Sequence, residues 1–448
     1  MGDYDGIVAG AGVAGCSAAG ALAAQGLRIL LCEASAPSEK RLAGELLHPP
    51  AVAKLRGLGL LEGIESRGMA VDGFVIVGKN RKDDVRLAYS EIPGCPTKGF
   101  AIEHAHLVTG LRENVGNQRG VQMMSSTRVS DAWREGPNLR VTLGRGGKEQ
   151  TQHAPLLVSA EGRGARLRRS AGIEVARGTE RFMVGWRVEG GRLPHPGFGH
   201  IFIGGPRTAL AYEIERGVVR VMFETDGGLP GDAYLQALPS SFRADVERAM
   251  AASAPTRAKF FRMSPSRVVS GRLAIVGDAG GCAHPITASG MSFCVNDSIC
   301  LAAAVGEQRR QGVEDWVEEG LARYAQTRAE GMRVRMALAK IIARALGDSQ
   351  ADSSALSAAL INYWNRSRRG RAASLALLAV HETRMLAIVR EFASVGVHSL
   401  LGRDRASVAA MPTLVRMASS TTSKALLGPL YDRLARRGRE RGLPGVGF

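Results

Sequence analysis

The stretch that decides the fold is near the beginning of the sequence, where residues 5–9 read DGIVA and residues 10–15 read GAGVAG. Residues 5–9 form a short apolar run bounded by glycine, as expected of a buried strand. Residues 13–25 are rich in alanine and have helical periodicity, and residues 28–32 are apolar again. The pattern therefore predicts a β-α-β unit at the start of an α/β fold.

The glycines between this strand and helix match the pattern G-x-G-x-x-G. Glycine lets the backbone turn tightly and approach a pyrophosphate, and a helix N-terminus supplies unpaired N–H groups. A carboxylate at the end of the next strand can accept hydrogen bonds from ribose hydroxyls. We therefore expect a dinucleotide site, rather than a merely structural turn, formed by Gly10, Gly12, Val13, Ala14, Gly15 and Glu33.

A second glycine cluster, VGDAGG at residues 276–281, follows another buried-strand pattern. This strand delivers Asp278 at its carboxyl end, where ligands bind in open α/β sheets. Residues 284–291 read HPITASGM, whose small residues would let backbone amides touch a flat ring, and the following helix dipole would stabilise a reduced, anionic flavin. These features favour FAD as the cofactor, with an N-capping role as the alternative for Asp278.

The composition is that of a globular protein, and 448 residues are enough for two intertwined domains and an appendage. The six cysteines have no paired spacing, so we expect neither disulfides nor a zinc site, and a cytoplasmic location. No window of roughly eighteen residues is apolar and uncharged, which excludes a membrane-spanning helix. The acidic start, MGDYDG, does not fit a signal peptide.

The net charge of +17 is concentrated near the end, where residues 366–448 carry 15 Lys/Arg and 5 Asp/Glu. Apolar clusters at residues 375–380, 385–389 and 395–401 alternate with arginines, a pattern that predicts amphipathic helices. Such helices would cap a substrate chamber, lie on an anionic membrane surface as a peripheral contact, or simply cover the core. Few aromatics interleave with the arginines, so we expect no nucleic-acid partner.

Between the two glycine clusters the pattern is mostly strands. Short alternating runs surround one helix at residues 106–115, and residues 182–224 read as an antiparallel sheet. We expect an FAD-binding domain from residues 1–75, 101–180 and 271–345, a substrate domain from residues 76–100 and 181–270, and a basic helical region at residues 346–448.

Four separated motifs occur in a specific order: G-x-G-x-x-G with Glu33, then RLAGELLHP at residues 41–49, then APL at 154–156 with EG at 161–162, then GDAGGCAHPITASGM from Gly277. This order resembles the squalene epoxidase branch of FAD monooxygenases from about Tyr4 to Gly306. The resemblance implies a Rossmann-type FAD-binding domain, an interleaved antiparallel-sheet substrate domain and a helical C-terminal region.

The resemblance also implies roles for individual residues. Glu33 would hold the adenosine ribose, and Arg41 and Arg112 would reach the FAD phosphates. Val129 would contact the adenine, and Asp278 the ribityl chain or pyrophosphate. The remaining expected contacts to FAD are Gly277, Pro285, Gly290 and Met291.

One motif departs from the pattern of flavin hydroxylases. They usually have Asp-Gly followed by a serine and then an arginine at intervals of three residues. This chain has Glu161 in place of the aspartate and Ala165 in place of the serine, while Arg168 is retained. The loss of the hydroxyl leaves open how FAD or NAD(P)H is held there.

The resemblance implies a reaction in which NADPH or NADH reduces FAD transiently and O₂ adds to form a C4a-hydroperoxyflavin. The flavin would then epoxidise or hydroxylate a lipophilic isoprenoid or prenylated aromatic, and no protein acid, base or metal is assigned. For His284, packing or hydrogen bonding is the favoured interpretation. The expected apolar faces of the substrate domain come from Phe182, Met183, Trp186, Phe202, Tyr212, Met222 and Phe223.

Three other interpretations stay open at this point. A reductase of prenyl double bonds would share the FAD motifs, a flavin-dependent nucleic-acid-modifying protein would use the basic tail, and a flavin halogenase is weakened by the lack of a suitable lysine motif. The short N-terminus favours a bacterial enzyme of secondary metabolism.

Overall fold

The computed structural model describes residues 4–36, 42–78, 84–95, 98–347 and 351–401. The strands of the first half are β1 (Gly6–Ala9), β2 (Ile29–Glu33), β3 (Leu46–Leu47), β4 (Met69–Val71), β5 (Gly73–Val77), β6 (Val85–Ala88), β7 (Gly99–Ala101), β8 (Val121–Ser125), β9 (Arg128–Glu135), β10 (Asn138–Arg145), β11 (Lys148–Ala154) and β12 (Leu156–Ser159). They are followed by β13 (Val175–Arg177), β14 (Arg181–Glu189), β15 (Phe198–Phe202), β16 (Ala209–Glu215), β17 (Val218–Thr225), β18 (Thr256–Phe260), β19 (Met263–Pro265), β20 (Val269–Ser270) and β21 (Leu273–Ile275).

The helices alternate with these strands and then dominate the last third of the described chain. They are α1 (Val13–Ala24), α2 (Pro49–Gly57), α3 (His104–Gly116), α4 (Arg166–Ser170), α5 (Asp232–Leu235), α6 (Ser240–Ala252), α7 (Gly290–Arg310), α8 (Trp316–Gly347), α9 (Ala351–Arg366), α10 (Arg368–Leu378) and α11 (Met385–Leu401).

A six-stranded sheet carries both glycine clusters. Its order is β20-β21-β12-β1-β2-β8, and all neighbours are parallel except β20 and β21. The sheet is covered on both faces, so β1 and β12 are buried throughout and apolar except for Ser159, as is typical of parallel sheets. The predicted β-α-β unit is confirmed as β1, α1 and β2.

A seven-stranded sheet forms the second layer. Its order is β18-β14-β17-β16-β15-β5-β6. The predicted antiparallel sheet over residues 182–224 is confirmed in β14 to β17. Strand β5 joins β15 in parallel, with Gly73 opposite Phe198, so two early strands complete a sheet that is mostly built later in the chain.

The two faces of this sheet have different neighbours, because successive side chains of a strand point to opposite sides. Met183, Tyr212 and Met222 pack in the cluster that includes helices α8 to α11. The other four expected residues lie in or against the cluster on the opposite face, which α6 covers: Phe182, Trp186, Phe202 and Phe223. Only Met183, Tyr212 and Met222 therefore face helices α8 to α11.

The sequence pattern predicts a long helix over residues 287–305, but α7 begins three residues later, at Gly290. Pro285–Thr287 forms a 3-10 turn, and Ala288 has a left-handed backbone with φ +48°, which interrupts regular α-helix. Helix α11 joins two of the predicted amphipathic segments into one. Within the described ranges, no helix combines the length and apolarity needed to cross a bilayer.

Candidate functional site

The first turn, between β1 and α1, is shaped by its own backbone. Gly10 has φ +99°, and a Cβ at Gly15 would lie 1.7 Å from the Gly10 carbonyl oxygen. At Gly12, in contrast, a Cβ would meet nothing within 4 Å. Helix α1 begins there without a side-chain cap, so its first N–H groups face open space. This arrangement fits a phosphate at the helix N-terminus.

Glu33 and Arg112 meet beside this turn. The Glu33 carboxylate accepts hydrogen bonds from the N–H groups of Ala11 and Ser35, both at 2.7 Å. It also forms a 2.9 Å ion pair with Arg112 Nη2, and Arg112 Nε donates to the Ala11 carbonyl at 2.8 Å. The sequence assigned the two residues separate ligand contacts. The structure brings them together, with the ion pair supporting the glycine turn.

The second turn, after β21, touches the first. Gly277 has φ +62°, and a Cβ there would lie 2.7 Å from Ala14 Cβ in α1. Ser298 of α7 donates to the Ala14 carbonyl at 2.8 Å. Asp278 is half-buried, and no hydrogen bond from a described residue reaches its carboxylate. The carboxylate is therefore available to a ligand between the two turns, which does not support the N-capping alternative.

A buried ionic network lies behind the second turn. The Asp297 carboxylate accepts the Gly277 N–H at 2.8 Å, Arg328 Nε at 2.6 Å and the Tyr324 hydroxyl at 3.0 Å. Arg328 Nη2 also donates to the Gly280 carbonyl at 2.7 Å, so the pair clamps both ends of the turn. Sequence reasoning missed these residues. The feature of the sequence that could have indicated them is Asp297, the only acidic residue in the first half of α7.

The departure at Glu161 has a structural explanation. The Glu161 carboxylate accepts hydrogen bonds from Ser159 Oγ at 2.8 Å and from the Leu167 N–H at 3.0 Å, so it supports the start of α4. Ala165 is fully buried. Arg168 is buried too, and its Nη1 donates to the Ala279 carbonyl at 2.8 Å. Arg168 thus supports the second turn, and burial lowers the pKa of its guanidinium.

His48 lies beneath the 3-10 turn and is completely buried. Its Nε2 is 3.3 Å from the Thr287 carbonyl oxygen, which can only accept, so Nε2 carries the proton. Its Nδ1 then accepts from the Tyr89 hydroxyl at 2.6 Å. Burial lowers the pKa of His48 to about 4, so the ring is neutral at pH 7. The motif at residues 41–49 includes His48, but no role for this residue was predicted.

The other expected residues are distributed around this cleft. A Cβ at Gly44 would lie 2.9 Å from Met291 Cγ, so the 42–47 segment packs on the start of α7, where Gly290 and Met291 lie. His284 accepts a hydrogen bond from the Ile286 N–H at 3.3 Å, next to Pro285. Val129 is buried in β9. Arg41 lies outside the described residues.

These features fit one extended dinucleotide. An open glycine turn at a helix N-terminus suits the pyrophosphate, and Asp278 has free acceptors. The 3-10 turn and the start of α7 supply a second helix N-terminus, suited to the flat ring of a flavin. The fold and the site thus define the class of the chain as an FAD-binding flavoprotein.

The comparison with protein families agrees with this class. Residues 3–334 match the model of the FAD binding domain family, and the chain belongs to that family. It is 28% identical to a squalene epoxidase of Aspergillus fumigatus, over 69% of this chain and 68% of that protein. It is also 28% identical to squalene epoxidase 4 of Arabidopsis thaliana, over 67% of this chain and 61% of that protein.

Solved structures share the fold. The crystal structure of p-nitrophenol 4-monooxygenase from Pseudomonas putida superposes with a TM-score of 0.69 at 16% identity, and covers 84% of this chain and 98% of its own. The chain is therefore an FAD-dependent oxidoreductase of the monooxygenase type, similar in sequence to squalene epoxidases.

Proposed function

We propose that the chain uses NAD(P)H and O₂ to epoxidise or hydroxylate a lipophilic isoprenoid or a prenylated aromatic. Bound FAD would supply the activation of O₂. Gly12 and the N-terminus of α1 would hold the pyrophosphate, Asp278 the ribityl chain, and the 285–287 turn the ring. The observation that carries the choice of substrate is an apolar cavity among the helices next to that turn.

This cavity lies between α8, α9, α10 and α11. A smaller cavity lined by Thr287 and Ser289 shares Leu338 and Leu377 with it, so the two cavities adjoin and the smaller one reaches the flavin turn. Its further apolar lining comes from Ile341, Ile342, Leu356, Leu360, Trp364, Leu378, Ile388, Phe392 and Val395.

The walls would orient a prenyl chain and exclude water, which protects an activated oxygen species from decay. The carboxyl that lines the cavity, Glu391, accepts a hydrogen bond from the Tyr363 hydroxyl at 2.9 Å. Burial raises the pKa of Glu391 and so disfavours its charged form, although the Tyr363 hydrogen bond acts in the opposite direction. An apolar substrate therefore suits this space better than a charged one.

The test is to incubate the FAD-loaded protein with acyclic isoprenoids and prenylated aromatics, NAD(P)H and isotope-labelled O₂. Mass spectrometry should find one labelled oxygen atom in the product for each NAD(P)H productively consumed. A saturated product formed without O₂ would instead establish a prenyl-chain reductase.

A matched pair of variants tests the location of the cavity. Leu377 is 5% exposed, whereas Leu386 in α11 is 72% exposed. Leu377→Trp should raise the KM for a long-chain substrate about tenfold, or about 1.4 kcal/mol, because the indole would occupy space that the chain needs. Leu386→Trp should leave KM unchanged. Equal effects of the two variants would argue against this cavity.

We also propose that the protein is cytoplasmic and contacts the inner membrane face peripherally through its basic helices. The exposed arginines Arg368 in α10, Arg384 just before α11 and Arg390 in α11 line one concave surface, and Leu386 of α11 is exposed as well. Each basic residue near an anionic surface contributes about 1 kcal/mol. Residues from about Asp404 onward, which form the rest of the basic tail, lie outside the described residues.

Co-sedimentation with liposomes measures this contact. The protein should bind anionic vesicles at low salt and release at high salt. Arg384→Glu combined with Arg390→Glu should weaken binding about tenfold or more, because each reversal adds repulsion. Equal binding to neutral and anionic vesicles would contradict the proposal.

A further inference from the structure

The concave surface that carries Arg368, Arg384 and Arg390 lies between the 89–93 segment, α10 and α11, and encloses about 650 Å³. It adjoins both apolar cavities, because the Leu377 side chain lines all three spaces. It also shares Glu382 with the smaller cavity and a second glutamate with the larger one. A ligand on this surface would therefore lie at the outer side of the space proposed for the substrate chain.

The lining of the concave surface is apolar where it is buried and cationic where it is exposed. The buried part consists of small or aliphatic side chains, among them Ile92, Ala372, Ala376 and Ala387. Ala372 and Ala376 are four residues apart and so lie on one face of α10. The exposed part includes four arginines: Arg368, Arg369, Arg384 and Arg390. An apolar floor below a cationic rim suits an amphiphile with an anionic end.

Two of the three carboxylates in this lining are already neutralised. Arg371 Nε and Nη2 donate to the two oxygens of Glu91 at 2.9 and 2.7 Å. Arg384 holds Glu382 in the same two-pronged way, with Nε at 3.0 Å and Nη2 at 2.6 Å, and these hydrogen bonds lower the pKa of Glu382 to about 2. Each of these carboxylates therefore compensates one arginine.

The remaining carboxylate compensates the other arginines poorly. Burial raises the pKa of Glu391 and disfavours its charged form, and Arg390 Nε lies as far as 4.0 Å from it. Arg368 Nε is 3.9 Å from Glu91, which is already paired. Arg369 acts on Glu391 at longer range and forms no ion pair with a carboxylate that the structure describes. Three arginines on one concave surface thus keep most of their charge, which attracts an anion.

We propose that Arg368, Arg369 and Arg390 bind a carboxylate at one end of the substrate, while its prenyl chain extends past Leu377 into the apolar cavities. The inference rests on the proposed function and narrows the substrate to a prenyl compound with an anionic end. Guanidinium groups stay charged and offer a planar fork to a carboxylate. The charged end stays at the exposed rim, so no charge has to enter the cavities.

The experiment compares two ligands that share one chain and differ at its end. Titration calorimetry of the FAD-loaded, full-length protein measures the Kd of farnesoic acid and of farnesol, without vesicles and at concentrations too low for micelles. The acid should bind about tenfold more tightly than the alcohol, or about 1.4 kcal/mol. Added salt should reduce this preference, because exposed charges are screened.

Variants locate the preference on the concave surface. Arg369→Gln and Arg390→Gln should each reduce the preference for the acid about threefold, and the double variant should abolish it without changing the Kd of farnesol. Arg369→Lys should retain most of the preference, because it keeps the charge. The matched control is Arg366→Gln, since Arg366 is an exposed arginine at the end of α9 that does not line this surface. It should bind both ligands like the wild type.

Calorimetry needs no turnover, so the anion site and the proposed oxygenation can fail separately. Equal Kd values of the acid and the alcohol for the wild type would overturn the inference, even if farnesol is oxygenated. A preference that persists in the double variant, together with weaker sedimentation with anionic vesicles, would also overturn it and assign the arginines to lipid contact. Selective binding of the acid without its oxygenation would support the anion site and contradict the proposed function.

Discussion

Two glycine-rich turns follow parallel strands of the same sheet, and they are held in different ways. The turn after β1 is shaped by its own glycines, with Gly15 packed against the Gly10 carbonyl. The turn after β21 is clamped from behind by Asp297 and Arg328, which come from α7 and α8. The first turn is shaped by its glycines and supported by Glu33 and Arg112, whereas the clamped turn depends on two helices that follow it in the chain.

The largest effect that tests this comparison is expected from Arg328→Met. The change leaves the buried Asp297 carboxylate without its cation, and removing one partner of a buried pair costs about 3–5 kcal/mol. Urea unfolding should show this loss of stability. The matched control is Arg323→Met in the same helix, where a half-exposed pair with Glu307 contributes at most about 1 kcal/mol.

If Arg328→Met and Arg323→Met lost similar amounts of stability, the buried ion pair would not be what holds the second turn, and the contrast with the first turn would disappear. A further check is the double variant of Arg328→Met with Asp297→Leu, which removes both charges. It should recover part of the lost stability, because no uncompensated charge then remains buried.

The next effect concerns the first turn, where Gly12→Val should leave the fold intact and abolish FAD binding. A Cβ at Gly12 meets nothing within 4 Å, and its φ of −83° is ordinary for any residue. A branched side chain would occupy the space of the pyrophosphate, so affinity should fall at least about 100-fold, close to 3 kcal/mol. The flavin content of the purified protein measures FAD binding, and its thermal unfolding measures whether the fold is intact.

Gly15→Ala is the contrast for that experiment, because its Cβ would lie 1.7 Å from the Gly10 carbonyl oxygen. It should disturb the fold itself. A fully yellow, correctly folded Gly12→Val protein would disprove the pyrophosphate site.

The smallest effect is a pH dependence of folding stability that comes from His48. This residue is distant in the chain and supports the 3-10 turn through Thr287. Burial lowers its pKa from 6.5 to about 4, so the unfolded chain takes up a proton first as the pH falls. The stability from the neutral ring is complete well above pH 6.5 and decreases from there towards pH 4. At about pH 5 this loss amounts to about 2 kcal/mol.

His48→Gln should lack this part of the pH dependence when unfolding free energies at about pH 8 and pH 5 are compared. The difference between wild type and variant isolates His48, since the other titrating groups are shared. Parallel curves for the two proteins would show that the ring is not buried in its neutral form.

The sequence was informative where structure is local. The β-α-β unit, the sheet of β14 to β17 and the helical region could be predicted from periodicity and turn residues. The start of α7 was placed too early, because nothing local indicates that Ala288 adopts a left-handed backbone. The pattern of alternation also did not show that Trp186 and Phe223 face α6 rather than α8.

In the candidate site, too, the local motifs could be predicted from the sequence and the tertiary contacts could not. The glycines and Asp278 belong to recognisable motifs, but the partners of those motifs come from far along the chain. The Glu33 pair with Arg112 and the His48 contact to Thr287 arise only when separate segments meet. Such pairs depend on tertiary packing, which spacing in one sequence does not reveal.

The strand order of the six-stranded sheet also affects how a nascent chain acquires its cofactor. Strand β12 pairs with β1 on one side and with β21 on the other, so the two turns of the cleft come from residues 10–15 and 277–281. Domains usually fold as units during synthesis, beginning with the N-terminal one. Strands β1 and β2 are synthesised long before β21 and α7, so the cleft for FAD is complete only once residues 277–281 have been made.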